Sequence, residues 1–201
     1  MHYNTLHLTE NDCFKKGKEM TPEGIVVHST GAENPELRRY IGPDDGMLGP
    51  NPGGNHWNRP GVTKCVHAFI GYDKDHVVRC YNTLPWNFQS WGCGKGPNGS
   101  YNRSHIQFEI CEDDLSNQLY FEEAFNMAVD LCAYLCKEFN LSVDAIVSHK
   151  EAHDQGHASG HGDPHHWIKK YNWTMDTFRQ KVAAAMSTSS GDGTSSTTAT
   201  T

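Results

Sequence analysis

From Leu119 to Phe139 the apolar residues Phe121, Phe125, Ala128, Cys132, Leu135 and Phe139 recur at alternating steps of four and three. That period places all of them on one side of a helix, and a helix with one apolar stripe needs a surface to bury it against. Such a surface is written into Ser104 to Cys111. There Ile106, Phe108 and Ile110 alternate with His105, Gln107 and Glu109, the two-residue period of a strand with distinct faces. A helix stripe and a strand face of this kind predict a helix packed on a sheet.

Other segments extend the sheet. Gly24-Ile25-Val26-Val27-His28-Ser29 is a short apolar run suited to a buried strand, and Asp144 to His149 reads as another. Cys65 to Tyr72 and His76 to Asn82 read as strands paired across the Asp73-Lys74-Asp75 turn. Thr174 to Met186 reads as a closing helix with Thr174 as its N-cap. Between them, Thr30 to Gly61 is rich in Gly, Pro and Asn and predicts a long irregular loop, with a helical turn near Pro35-Glu36-Leu37. Loops beyond ~15 residues in a compact domain are usually functional, and this one is a candidate wall of a groove. The expected architecture is α/β, a mixed central β-sheet flanked by helices, with its pattern running from Gly24 to Lys181. Residues 1–186 form the expected domain, and 187–201, nearly all Ser, Thr, Gly and Ala, read as a flexible tail or tether to a further domain.

Composition excludes several classes. With 36% hydrophobic and 20% charged residues the chain reads as globular, and no stretch approaches the ~18 uninterrupted apolar residues of a membrane span. The segment Met1-His2-Tyr3-Asn4-Thr5-Leu6-His7 has no basic cluster followed by an apolar run, so no signal peptide is read there and synthesis in the cytoplasm is expected. A net charge of −7 argues against a nucleic-acid partner and offers no attraction to an anionic surface. The seven cysteines show no paired spacing of a disulfide framework, so reduced thiols are expected, with Cys132 and Cys136 as small core residues. Thirteen histidines point toward metal or acid–base chemistry.

Two of the strands end in a histidine, His28 and His149, and ligands in open α/β sheets gather at the carboxyl ends of strands. Spacing alone fits either metal ligation or two satisfied surface histidines. His149, His153, His157, His161 and His165 recur every four residues, which on a helix would form one imidazole face. Gly156, Gly160, Gly162 and Pro164 argue against a continuous helix, so the segment is read as a loop folding back over the site. Asp163 is then a candidate third ligand. Two neutral imidazoles and a carboxylate make a zinc site with one position left open, the arrangement hydrolysis needs. Glu109, on the polar side of its strand, is either an ordinary strand glutamate or the carboxylate that moves a proton beside the metal. A cysteine hydrolase built on Cys13 or Cys93 is a separate reading, but neither residue opens a clear apolar helix that would activate its thiol.

The segments Ile25-Val26-Val27-His28-Ser29-Thr30, Val66-His67-Ala68-Phe69-Ile70, Ser90-Trp91-Gly92-Cys93-Gly94, Asn102 through Ile106-Gln107-Phe108-Glu109-Ile110, Val147-Ser148-His149-Lys150-Glu151 and His161-Gly162-Asp163-Pro164 follow in that order. In that order the sequence resembles the type-2 N-acetylmuramoyl-L-alanine amidases, the family of phage endolysin amidases and peptidoglycan recognition proteins, over roughly Gly24 to Phe178. The resemblance implies a zinc-dependent hydrolase cutting the amide between N-acetylmuramic acid and L-alanine of peptidoglycan. It implies His28, His149 and Asp163 as zinc ligands and Glu109 as the catalytic carboxylate. His161 stands two positions before the third ligand, where the family commonly has lysine, and is implied as an oxyanion stabiliser. His67 matches a position that often lines the groove, or is a structural histidine; Trp91 matches a groove aromatic. Three departures stand out. The His149–Asp163 loop is long, His165 follows Pro164 where glycine is usual, and Gly92 stands where many relatives have a histidine. These departures leave Asp163 first and His161 second as third ligand. The alternative function within the same fold is a non-catalytic peptidoglycan-binding module. The tail is then expected to tether a lost C-terminal wall-binding domain, with the enzyme acting on the cell wall after release from the cytoplasm.

Overall fold

The apolar stripe of the long helix is buried as its period requires. In the computed structural model, which describes residues 2–188, helix α2 spans Gln118–Glu138, and the Asn117 side chain caps it by accepting from Tyr120 N. Phe121, Phe125, Ala128, Cys132 and Leu135 all lie in one core with Ile106, Phe108 and Ile110 of strand β5 (His105–Ile110). Each fully buried phenylalanine contributes on the order of 1.5–3 kcal/mol by transfer out of water. Tertiary burial of that stripe, more than helix propensity, therefore holds α2 in place. The closing helix α5 (Met175–Thr188) adds Phe178 and Val182 to the same core. Thr174 caps it as expected, accepting from Thr177 N at 3.1 Å.

The remaining strands are β1 (Asn4–Thr5), β2 (Gly24–Ser29), β3 (Ala68–Tyr72), β4 (Val78–Asn82) and β6 (Ile146–Ser148). They form one six-stranded sheet in the order β1-β4-β3-β5-β2-β6. Only the β3–β4 hairpin is antiparallel; the other neighbours run parallel. Ile25 and Val27 register with Ile106 and Phe108 and share the α2 core, so His28 and its register partner Glu109 leave the sheet on the opposite face.

That opposite face is covered by the long Thr30–Gly61 segment and, toward the β2–β6 edge, by Ala152 and Ala158 packed with Val26 and Val147. Leu37, Tyr40, Ile41, Leu48 and Trp57 are buried against Phe69 and Tyr81. The Tyr40 ring stacks on Phe69 with centroids 5.2 Å apart, and Trp57 meets Phe69 edge-on at 5.0 Å. The loop is thus a packed wall with a single helical turn, Leu37–Arg39, in the expected place. No helix among the described residues is long and apolar enough to cross a membrane.

Three expectations need correction. The segment after β6 is not simply a loop, because His149–Asp154 forms helix α3 before Gly156, at φ 81°, turns the chain. The cause is local: Ser148 and Glu151 make a reciprocal capping box that starts a helix at His149. The cysteines are not all reduced, since helix α1 (Asp12–Lys16) places Cys13 in a disulfide with Cys65, while the other five are buried and free. The supposed tail loses its first two residues, as Ser187 and Thr188 end α5. The rest of the expected tail, 189–201, lies outside the described residues. The last short helix, α4 (His165–Ile168), follows Asp163-Pro164 and buries Trp167 in the main core.

Candidate active site

Three elements deliver three ligand atoms to one point. His28 comes from the end of β2, His149 from the first position of α3, and Asp163 from the segment that returns before α4. The returning segment is tied down by Lys150 N donating to the Asp163 backbone oxygen at 3.3 Å. His28 Nδ1 lies 3.0 Å from His149 Nδ1, Asp163 Oδ2 lies 3.2 Å from His28 Nδ1, and Asp163 Oδ1 lies 3.3 Å from His149 Nδ1. Among the described residues these three side chains form a group able to hold a metal ion, with ligand atoms all within 4.8 Å of one another. Burial lowers the His28 pKa, which keeps its imidazole neutral and its lone pair available. Burial would raise the Asp163 carboxyl, but hydrogen bonds and charge from His149 and His28 hold it well below the usual carboxylate range. Two imidazoles and an ionised carboxylate are a donor set that suits zinc.

Glu109 stands beside this group. Its Oε2 is buried without a hydrogen-bond partner. Burial, then the negative charges of Asp163 and Glu112, push its carboxyl well above the ordinary range, against a weaker pull from Lys64. A carboxyl raised in this way is suited to taking a proton and giving it up again. His161 is exposed and stacks on the His149 ring with centroids 4.8 Å apart. Its ring therefore lies over the face of His149, outside the three-atom cluster that Asp163 completes.

The two groove residues fare differently. Trp91 is 40% exposed, with Lys16 Nζ 5.1 Å from its ring centroid. It lines a cleft of about 340 Å³ with Lys18, Gln89, Lys95 and Arg103, so a locally cationic surface exists on a chain of net charge −7. His67, by contrast, is fully buried, which removes it from any groove. Its Nδ1 accepts from Gln107 N at 2.9 Å and its Nε2–H donates to the Phe88 carbonyl at 2.8 Å, so it ties β5 to the Phe88 turn.

Burial pushes the His67 pKa down to about 4, against hydrogen bonds that raise it. Between that value and the ~6.5 of a free imidazole the unfolded chain binds a proton that the folded chain refuses. Stability contributed by neutral His67 is therefore complete above the unfolded value and falls as pH drops toward 4, by about 3 kcal/mol. In chelator-treated protein, denaturant unfolding at pH 7 and pH 4.5 should show a smaller loss for His67→Gln than for the wild type. Equal losses would remove His67 as a source of acid lability.

Sequence reasoning passed over the residues behind the imidazoles. Gln107, fully buried, places Oε1 2.9 Å from His28 Nε2 and donates from Nε2 to Asn102 Oδ1 at 2.9 Å. Ser159 Oγ lies 3.4 Å from His149 Nε2 and donates to the Cys93 carbonyl at 3.1 Å. The only signal was that Gln107 shares a strand face with Glu109, two residues away. A cysteine nucleophile has no support: Cys13 is in the disulfide, and burial raises the Cys93 thiol pKa despite hydrogen bonds that lower it.

The sequence profile described as N-acetylmuramoyl-L-alanine amidase matches residues 18–166. The N-acetylmuramoyl-L-alanine amidase CwlH of Bacillus subtilis (strain 168) is 38% identical over 142 residues, covering 68% of this chain and 47% of CwlH. The N-acetylmuramoyl-L-alanine amidase XlyA of the same organism is 31% identical over 141 residues, covering 68% of this chain and 39% of XlyA. The chain thus spans less than half the length of either relative. The crystal structure of Staphylococcus aureus hydrolase AmiA in complex with its ligand has a TM-score of 0.69 at 19% identity, covering 95% of this chain and 86% of that one, which shows a shared fold. With the profile running from before β2 into α4 and enclosing all three clustered ligand residues, the chain belongs to the N-acetylmuramoyl-L-alanine amidase family.

Proposed function

We propose that the chain is a zinc-dependent peptidoglycan hydrolase that cleaves the amide between N-acetylmuramic acid and L-alanine of the peptide stem. The observation that carries this reading is the convergence of His28 Nδ1, His149 Nδ1 and the Asp163 carboxylate beside the unpartnered carboxyl of Glu109. His28, His149 and Asp163 would hold the ion. When bound, zinc supplies Lewis acidity that activates water and polarises a carbonyl. Glu109 takes a proton from the attacking water at Oε2 and delivers it to the departing amine. His161, exposed and stacked on the His149 ring, donates to the carbonyl oxygen as negative charge develops on it. A module that only binds peptidoglycan would have no use for a buried proton carrier beside a complete ligand set.

The cationic cleft at Trp91 is the proposed seat of the stem peptide, whose carboxylates match Lys18, Lys95 and Arg103. Trp91→Ala should raise KM for a soluble muropeptide several-fold and leave kcat within about twofold, because lost uniform binding acts on KM alone. A reduced kcat with unchanged KM would place the peptide elsewhere. The function itself is tested by digesting purified peptidoglycan and identifying the new ends by mass spectrometry. Free L-alanine amino termini without new reducing sugars are expected; new reducing ends, or no cleavage by zinc-loaded protein, would refute it.

A further inference from the structure

The hydrogen bonds behind His28 can be assigned atom by atom, starting from groups whose chemistry is fixed. The backbone N–H groups of Gly92 and Cys93 both point at one terminal atom of Asn102, each at 3.1 Å. Backbone N–H groups only donate, so that atom is the Asn102 oxygen. Asn102 Nδ2 then donates to the Gly94 carbonyl at 3.1 Å, consistent with the same orientation. The terminal atom of Gln107 that faces the Asn102 oxygen at 2.9 Å must be its NH₂ group, which leaves the Gln107 oxygen facing His28 Nε2. An amide oxygen only accepts, so His28 Nε2 carries a hydrogen. In the neutral ring Nδ1 is then bare, and it is Nδ1 that points at His149 and Asp163.

We infer that Gln107 is a positioning residue for the metal site, its amide locking His28 in the Nε2–H tautomer with Nδ1 presented as the ligand atom. The inference rests on the metal-site reading above and adds to it a residue with no ligand role of its own. Two features show that the position is built for this amide. Gln107 is fully buried with both amide ends engaged, so its side chain is held at each end. Gly92 also leaves the space it occupies, since a Cβ at residue 92 would lie 2.6 Å from Gln107 Oε1 and 2.8 Å from Val66 Cγ1. The 92–102 turn thus reaches His28 through Asn102 and Gln107. It reaches His149 as well, because Ser159 spends its hydroxyl hydrogen on the Cys93 carbonyl and can only accept from His149 Nε2.

The test uses the whole chain and zinc alone. Gln107→Met keeps the volume and removes both polar ends. Competition with a chromophoric chelator should show zinc affinity weakened about 10–100-fold, the usual worth of a group that orients a histidine ligand. The metal-free variant should melt near the wild-type temperature, separating orientation from folding. Unchanged zinc affinity in a folded Gln107→Met variant would overturn the inference. Nitrogen-15 NMR of the wild type supplies a readout independent of any variant. The His28 ring should carry an exchange-protected Nε2–H both with and without zinc, and a Nδ1–H tautomer in the metal-free protein, or a freely exchanging Nε2 proton, would equally overturn it. A wild type that binds no zinc yet shows the protected Nε2–H would refute the metal reading while leaving the amide's hold on His28 intact.

Discussion

Asp163→Ala is expected to release the metal and abolish hydrolysis together, with zinc content falling from one equivalent to near zero after dialysis. Asp163 is the only anionic member of the cluster, and its two oxygens face the two imidazoles separately, Oδ2 toward His28 and Oδ1 toward His149. Ser29 N also donates to Oδ2, at 3.4 Å, so the carboxylate is held from the strand side as well. Without it two imidazole rings remain, and a three-ligand site has no redundancy to absorb the loss. His28→Ala and His149→Ala should behave alike. Metal analysis and muropeptide hydrolysis on the same samples make the check. Stoichiometric zinc in Asp163→Ala, together with its loss in His161→Ala, would move the third-ligand role to His161. Acid should strip zinc from the wild type as the imidazole ligands take up protons at Nδ1, since a ligating ring must be neutral.

Glu109→Gln is expected to keep zinc and fold while lowering kcat by roughly 10²–10⁴. Glutamine preserves the volume and one acceptor but neither holds nor releases a proton at the position of Oε2. Since burial and the charges of Asp163 and Glu112 raise the Glu109 carboxyl, the acid limb of the wild-type kcat profile should lie above the usual carboxylate range. That limb should vanish from whatever activity the variant retains. Near-normal turnover would reduce Glu109 to a strand residue.

What could be read from the sequence was whatever depends on period and on strand ends. The α2 stripe and the β5 alternation are local patterns, and burial of both faces followed from them. His28 and His149 were legible because each closes an apolar run, and the topology of parallel strands then brings such ends together. Glu109 was legible only as a polar residue on the correct face. Residues whose roles depend on distant partners stayed hidden. Nothing near Cys13 announces Cys65, 52 positions away. His67 and Gln107 look like ordinary polar residues of alternating strands, yet both are fully buried because the Ser90–Arg103 region closes over them through Asn102 and the Phe88 turn. Helix α3 is hidden for the opposite reason: the glycines that end it stand out in the sequence, and the Ser148–Glu151 box that begins it does not.

One contact sets how far this chain can be shortened with its ligand cluster still held in place. Glu151, whose carboxylate closes the capping box at the start of α3, is gripped by Arg179 of α5, at 3.0 Å from Nη2 and 3.1 Å from Nη1. Arg179 also donates to the Ile146 carbonyl at 2.9 Å, so one guanidinium ties the start of β6 to the start of the helix that carries His149. The family profile stops at residue 166, thirteen positions earlier. A fragment trimmed to the profile would retain every proposed ligand and still lose the clamp that fixes the direction in which one of them leaves the sheet. The smallest unit that keeps this cluster in place therefore includes the C-terminal helix, whose Arg179 is not itself a member of the cluster.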